Sequence, residues 1–220
     1  MSDTTRARIY ERLEAALDDA PALEMPLPET SPALSLEEKI TELFTLMVAV
    51  RTEVYRVKRD TWLSKLTEII QAKKIDTLLY GPGTWLASDL EESGQKFSRG
   101  VARLRPYDEK VESFKKELFN IDAGITSTMG GIADRGALIL WPTPQEPRLI
   151  SLVPPIHIAV VDAEMIYGSL SEAMQEQNWS QGMPTNALLV SGPSKTADIE
   201  FTLVFGVHGP KELVVIVRED

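Results

Sequence analysis

The chain has 220 residues, no cysteine, and 33 acidic against 23 basic side chains, a formal net charge of −10 at pH 7. That length fits one generous domain or a domain with an extended arm, and the acidic balance disfavours nucleic acid or an anionic membrane surface as partner. Without a thiol the chain has no disulfide, no cysteine nucleophile, no Cys-ligated zinc and no Cys-bound iron–sulfur cluster, so any redox centre would have to be borrowed.

Residues 1–20 alternate charges with small apolar residues and lack the uninterrupted apolar core of a secretory signal. Apolar runs such as 43–50 and 158–161 fall well short of a membrane span. A soluble, cytoplasmic protein is expected. Ile9, Leu13, Ala16 and Leu17 mark a narrow stripe on a charged helix over 5–19, a plausible docking arm. Pro21, Pro26, Pro28 and Pro32 then restrict φ and remove donors, which reads as an extended linker. The expected organisation is an arm over 1–20, a linker over 21–34 and an α/β domain over 35–220.

Ser35 and Glu38 form the pattern of a capping box, opening a helix with Ile40, Leu43, Phe44, Met47 and Val48 on one face. Strands follow at 52–57, 76–80, 101–104, 121–125, 136–141, 156–161, 187–190 and 212–217, and helices at 62–71, 84–92, 109–118, 163–177 and 196–205. Strands such as 156–161 and 213–217 are apolar on both faces, which suits a mainly parallel sheet covered on each side, a three-layer α/β/α sandwich. In such sheets ligands sit beyond the carboxyl ends of the strands.

Four glycine-bearing loops hold the candidate chemistry. Gly81-Pro82-Gly83-Thr84 lacks the third glycine of a dinucleotide fingerprint, Leu86 standing there, and reads as a tight βα turn. The segment from Thr126, Ser127 and Thr128 through Gly130, Gly131 and Asp134 to Gly136 presents hydroxyls, glycines and an acid; its backbone N–H groups and hydroxyls suit a carboxylate or phosphate, or its glycines simply permit turns. Ser191-Gly192-Pro193-Ser194-Lys195-Thr196 resembles the tail of a P-loop, but Ser194 replaces the glycine before the lysine. A helix capped by Thr196, with Asp198 and Glu200 in its first turn, is the more economical reading. The fourth loop, Gly206-Val207-His208-Gly209-Pro210, ends that helix and offers His208 as a general acid/base. His157, inside an apolar strand, reads as a hydrogen-bonded packing residue or a ligand contact. No zinc spacing and no G-x-S-x-G elbow is present, so no metal is assigned.

Gly124-Ile125-Thr126, Gly131-Ile132-Ala133-Asp134-Arg135-Gly136, the run from Ser151 to Ile158, the run from Ser191 to Glu200 and Gly206-Val207-His208-Gly209-Pro210 together resemble the bacterial lactate-utilization protein C family, whose domain is called LUD. The resemblance spans about residues 35–220. It implies a fold similar to the sugar-phosphate isomerase and CoA-transferase group. It also implies a part in oxidising L-lactate to pyruvate beside two partners that carry iron–sulfur clusters, none being expected in this cysteine-free chain. Arg135 and Ala137 stand where the family often has threonine, which removes two hydroxyls and adds a cation.

The leading expectation is an accessory subunit of a lactate-oxidising complex with a strand-end cleft for a small carboxylate or phosphate. Its binding residues would be Thr126, Ser127, Gly130, Gly131, Gly136, His157, Ser191, Gly192, Ser194, Thr196, Asp198 and Gly209, with Arg148, Arg135 or Lys195 holding the anion and His208 shuttling a proton. The alternatives are an autonomous phosphosugar or acyl-CoA enzyme with Glu200 or Asp134 as nucleophile, and a scaffold that docks its striped arm on a partner or a second copy.

Overall fold

The computed structural model describes residues 3–18, 34–93, 101–197 and 203–220. They fall into two units, Met1–Pro32 and Ala33–Asp220. In the first, α1 (Asp3–Asp18) is a single helix that leaves Ile9, Tyr10 and Leu13 exposed, with the Arg6 guanidinium over the Tyr10 ring.

The second unit opens with α2 (Leu36–Ala49). Ser35 Oγ accepts the Glu38 N–H at 3.3 Å and the Glu38 carboxylate accepts the Ser35 N–H at 2.8 Å, the reciprocal capping box that satisfies two orphan donors. Ile40, Leu43 and Met47 are buried, whereas Val48, expected on the same face, is 58% exposed. Five residues beyond Leu43 is about 140° round a helix, which carries Val48 off the stripe.

Six parallel strands, β1 (Glu53–Lys58), β2 (Thr77–Tyr80), β3 (Arg103–Pro106), β4 (Ala123–Ser127), β7 (Ile156–Asp162) and β12 (Glu212–Glu219), form the main sheet in the order β1-β12-β7-β4-β2-β3. Alternate residues of its central strands enter two different cores, as the pleat requires. Ile158, Val160, Val214 and Ile216 pack under α3 (Trp62–Lys73) and α4 (Trp85–Glu92), against Trp62, Leu66, Ile70, Leu86 and Leu90. Ala159, Val161, Leu213, Val215 and Val217 face the other way, toward Ile40, Leu43 and Met47 of α2. Farther along that second face, Leu79 packs with Phe114 and Leu118 of α5 (Val111–Leu118) and Ile150 of α6 (Leu149–Leu152). The architecture is the three-layer sandwich that the doubly apolar strands predict.

A second sheet shares the outer layer on this side. It contains β5 (Gly130–Ile132), β6 (Ala137–Leu140), β8 (Ile166–Tyr167) and β9 (Leu188–Val190) in the order β8-β5-β6-β9. Two expected helices are absent among the described residues. Residues 163–177 divide into a 3₁₀ turn at Ala163–Met165, strand β8 and α7 (Leu170–Glu176), because Gly168 interrupts the run and Ser169 Oγ caps a fresh start by accepting the Glu172 N–H at 3.2 Å. Residues 196–205 hold an antiparallel pair, β10 (Lys195–Ala197) and β11 (Leu203–Phe205), with Lys195 opposite Phe205. The β-branched and aromatic residues of that run favour a strand over a helix. Strand β5 and helix α6 have no counterpart in the sequence reading.

Candidate functional site

The cover of the second face changes hands above β7: α6 lies to one side and β9 to the other. In the seam is a cavity of about 240 Å³, lined by Ser151 and Leu152 of α6, His157 of β7, Leu189 and Val190 of β9, Ser191, Gly192 and Ser194 just beyond it, His208, Gly209 and Pro210, and Leu213 of β12. Such a volume suits a small metabolite; sites for drug-sized ligands run from about 300 to 1,000 Å³.

Each wall has a covalent or packing reason to stand where it does. Gly124 of β4 lets the α6 backbone settle on the sheet, since a Cβ there would lie 2.1 Å from the Ile150 carbonyl oxygen. Past β9, the Ser191 carbonyl accepts a hydrogen bond from Thr52 Oγ1 at 3.1 Å, and Gly192 packs against Val50. The Ser194 N–H donates to the Pro210 carbonyl and the Gly206 N–H to the Ser194 carbonyl, both at 2.9 Å, and the Lys211 N–H donates to the Pro155 carbonyl at 2.7 Å. The third and fourth glycine loops are thereby tied to each other and to the start of β7.

His157 is the cavity's most enclosed polar group, 1% exposed, and its Nε2 lies 2.9 Å from Oγ1 of Thr126, itself 4% exposed. Burial disfavours the imidazolium and pushes the His157 pKa down to about 4, so the ring is neutral at neutral pH. Its position is a correction to the strand-end expectation: His157 and Leu213 are each the second residue of their strands, so the cavity borders the amino ends of β7 and β12. At the carboxyl end of β4 the space is taken instead. The Glu146 carboxylate accepts the Ser127 N–H at 2.9 Å and the Ser127 hydroxyl at 2.6 Å, while Gly81, at the end of β2, abuts the backbone of Gln145 and Glu146. Burial raises the Glu146 pKa, against the lowering effect of the two Ser127 donors.

Of the residues expected to bind ligand, His157, Ser191, Gly192, Ser194, His208 and Gly209 line one cavity, and Thr126 stands directly behind it through His157. The rest of the second loop goes elsewhere. Ser127 serves Glu146; Gly130 and Gly131 belong to β5, where a Cβ on Gly130 would meet the Met165 carbonyl at 2.3 Å; Gly136 closes the 3₁₀ turn Ala133–Arg135 with φ +55°. The Asp134 carboxylate lies 3.7 Å from the guanidinium of Arg135, which is exposed. Arg148 is exposed at the amino end of α6, where its carbonyl accepts from Ser151 Oγ; Lys195 is exposed on β10, next to Thr196. Asp198 and Glu200 lie outside the described residues. The lining thus contains neither a cation nor a carboxylate among the described residues. Leu189, Val190 and Leu213 escaped the loop-centred reading because they sit in or beside strands with no motif; Ser151, Leu152 and Pro210 lie within the recognised runs but were given no role; Glu146 escaped it inside the proline-flanked run of residues 142–147.

The sequence profile of the LUD domain matches residues 40–217. The chain belongs to the LUD domain family. This LUD-domain protein is 37% identical over 185 residues to an uncharacterized protein of Neisseria meningitidis serogroup B, a match covering 81% of this chain and 76% of the relative. It is 34% identical over 191 residues to lactate utilization protein C of Halalkalibacterium halodurans, covering 84% and 81% of the two chains. A solved structure, a DUF162 family protein from Deinococcus radiodurans, shares the fold with a TM-score of 0.58 at 20% identity, over 84% of this LUD-domain chain and 99% of that one. Among the described residues, no helix is long and apolar enough to cross a membrane.

Proposed function

We propose that this LUD-domain protein serves lactate utilization as an accessory subunit of an L-lactate-oxidising system, holding a small carboxylate in the seam cavity while iron–sulfur partner proteins carry the electrons. The observation that carries this reading is the meeting of the Ser191–Ser194 and His208–Pro210 turns with His157 around one small cavity, in a chain similar to proteins named lactate utilization protein C. The hydroxyls of Ser191 and Ser194, an exposed His208 and a neutral His157 offer hydrogen bonds to a carboxylate and a neighbouring oxygen. The electron-transfer step belongs to the partners, because a chain with no cysteine cannot hold a Cys-ligated cluster.

The test is thermal unfolding with L-lactate or pyruvate, run beside complementation of a lactate-growth defect in a strain lacking this chain. Wild type gains stability with one of the two acids and restores growth; Ser191→Ala combined with His208→Ala loses both effects while keeping its unliganded transition. If neither acid stabilises the wild type and the double variant restores growth fully, the reading is wrong.

A further inference from the structure

A threonine hydroxyl has one proton to give, and a buried one needs an acceptor for it. Among the described residues Thr126 Oγ1 has a single partner, Nε2 of His157 at 2.9 Å. If the ring donated from Nε2, the proton of Thr126, a residue only 4% exposed, would be left without a protein acceptor, a penalty larger than the bond is worth. The arrangement that satisfies both groups has the Thr126 O–H donating to Nε2, which puts the imidazole proton on Nδ1.

That nitrogen has no protein partner among the described residues, yet the one fully enclosed, unpartnered side-chain N or O among them is Oδ1 of Asn186. Nδ1 therefore keeps a trace of accessible surface, on a ring that lines the cavity and is otherwise enclosed. We propose that Thr126 locks His157 in the Nδ1–H tautomer, and that this N–H is an uncharged donor reading a carbonyl or carboxylate oxygen of the ligand. Thr126 is then a positioning residue and His157 a specificity-determining one. The ligand half of this inference rests on the carboxylate-binding reading above; the tautomer half stands without it.

The chemistry follows from the surroundings. Burial holds the ring neutral well below pH 7, so the Nδ1–H persists through the neutral range and adds no charge. The hydroxyls of Ser191 and Ser194 can either donate or accept, whereas the neutral His157 ring in this tautomer only donates toward the cavity. An ammonium or other pure donor placed against it has no partner, so the cavity floor selects an acceptor oxygen.

The experiment is a long-range ¹H–¹⁵N correlation of the imidazole nitrogens in the full ¹⁵N-labelled chain at pH 7, for wild type, Thr126→Ser and Thr126→Val, with pyruvate, L-lactate or acetate then titrated in. Wild type and Thr126→Ser show His157 protonated at Nδ1 alone. Thr126→Val moves the proton wholly or partly to Nε2 and weakens binding of the acid about tenfold, the loss of one well-made hydrogen bond. A wild-type ring protonated at Nε2, or doubly protonated, overturns the lock, as does an unchanged tautomer in Thr126→Val. Should the valine variant fail to fold, the wild-type and serine spectra decide alone. An Nδ1–H signal that ignores all three acids overturns the donor role. A response to acetate with none to pyruvate or lactate keeps that role and removes the lactate reading.

Discussion

Replacing Gly124 by alanine strikes the support of the cavity without touching its lining. The new Cβ would lie 2.1 Å from the Ile150 carbonyl oxygen and 3.1 Å from its carbonyl carbon, where ordinary contacts begin at 3.4 Å. The obstacle is α6 backbone, so the whole turn has to retreat by about 1 Å or more, the distance that separates a relieved contact from a clash. Retreat is resisted from behind, because Ile150 is fully buried against Leu79, Phe114, Leu118 and Ile121. Overpacking of this kind typically costs about 1–3 kcal/mol, and an obstacle of backbone in a closed core places Gly124→Ala at the upper end. For a domain of this size each kcal/mol lowers Tm by about 2–4 °C, so a fall of about 6–12 °C is expected by calorimetry. Because α6 carries Ser151 and Leu152, the same variant should blunt stabilisation by the carboxylate ligand. Gly182→Ala is the control: its backbone is extended, with φ −179°, and nothing lies within 4 Å of the added methyl, so its Tm should stay within about 1 °C of wild type. A Gly124→Ala protein as stable as that control would refute the claim that α6 rests on the glycine.

Three further outcomes are expected. Arg218 is 4% exposed, bonded to Asp162 Oδ1 from Nε at 2.8 Å and from a terminal nitrogen at 2.7 Å, and stacked 3.8 Å from the centre of the Trp85 ring; Arg218→Met removes these bonds while Asp162 keeps Arg59 and Asp89 keeps the Trp62 indole N–H, and calorimetry should show a loss of about 1.5–3 kcal/mol. The His157 pKa is about 4 in the folded protein and about 6.5 when unfolded. The unfolded chain therefore binds the extra proton first, and stability present above pH 6.5 drains away as pH falls toward 4, by at most about 3 kcal/mol. Denaturant titrations of wild type and His157→Gln should converge over that window, and parallel pH profiles would contradict it. Glu146 has the opposite sign: its raised pKa means the folded state holds a proton more tightly than the unfolded one, so ionisation is destabilising at neutral pH. Relative to wild type, Glu146→Gln should gain more at pH 7 than at pH 4, and a gain that is equal or larger at pH 4 would show that the carboxylate is not held against its charge.

Much of the fold was legible because it rests on local chemistry. The Ser35–Glu38 pair announces α2, and β7 and β12 declare burial on both sides by carrying unbroken apolar runs, 158–161 and 213–217. What was not legible depends on distant partners. Gly130-Gly131-Ile132 has no strand signature of its own and becomes β5 because β6 and β8 pair with it. The run after Ser194 begins like a helix, yet Lys195 pairs antiparallel with Phe205. The candidate site divides in the same way. Its serines, glycines and two histidines drew attention by residue type, but their position at the amino ends of the strands follows from where α6 and β9 fail to meet, which no spacing records. The cations expected to hold an anion, Arg135, Arg148 and Lys195, remain at the surface because nothing in a motif states which way a side chain turns.

The order of the main sheet bears on how this LUD-domain protein is made. β1 emerges early, yet its sheet partner is β12, which also fills the gap beside β7. Until the residues from Glu212 onward leave the ribosome, two parallel strands stand apart with open backbone edges and half-formed cores on both faces. Pairing across such a sequence separation is slow and exposes sticky intermediates. A synthesis product halted before Glu212 should therefore be a substrate for chaperones and proteases, which makes the arrival of β12 the checkpoint for a closed sheet and a formed cavity.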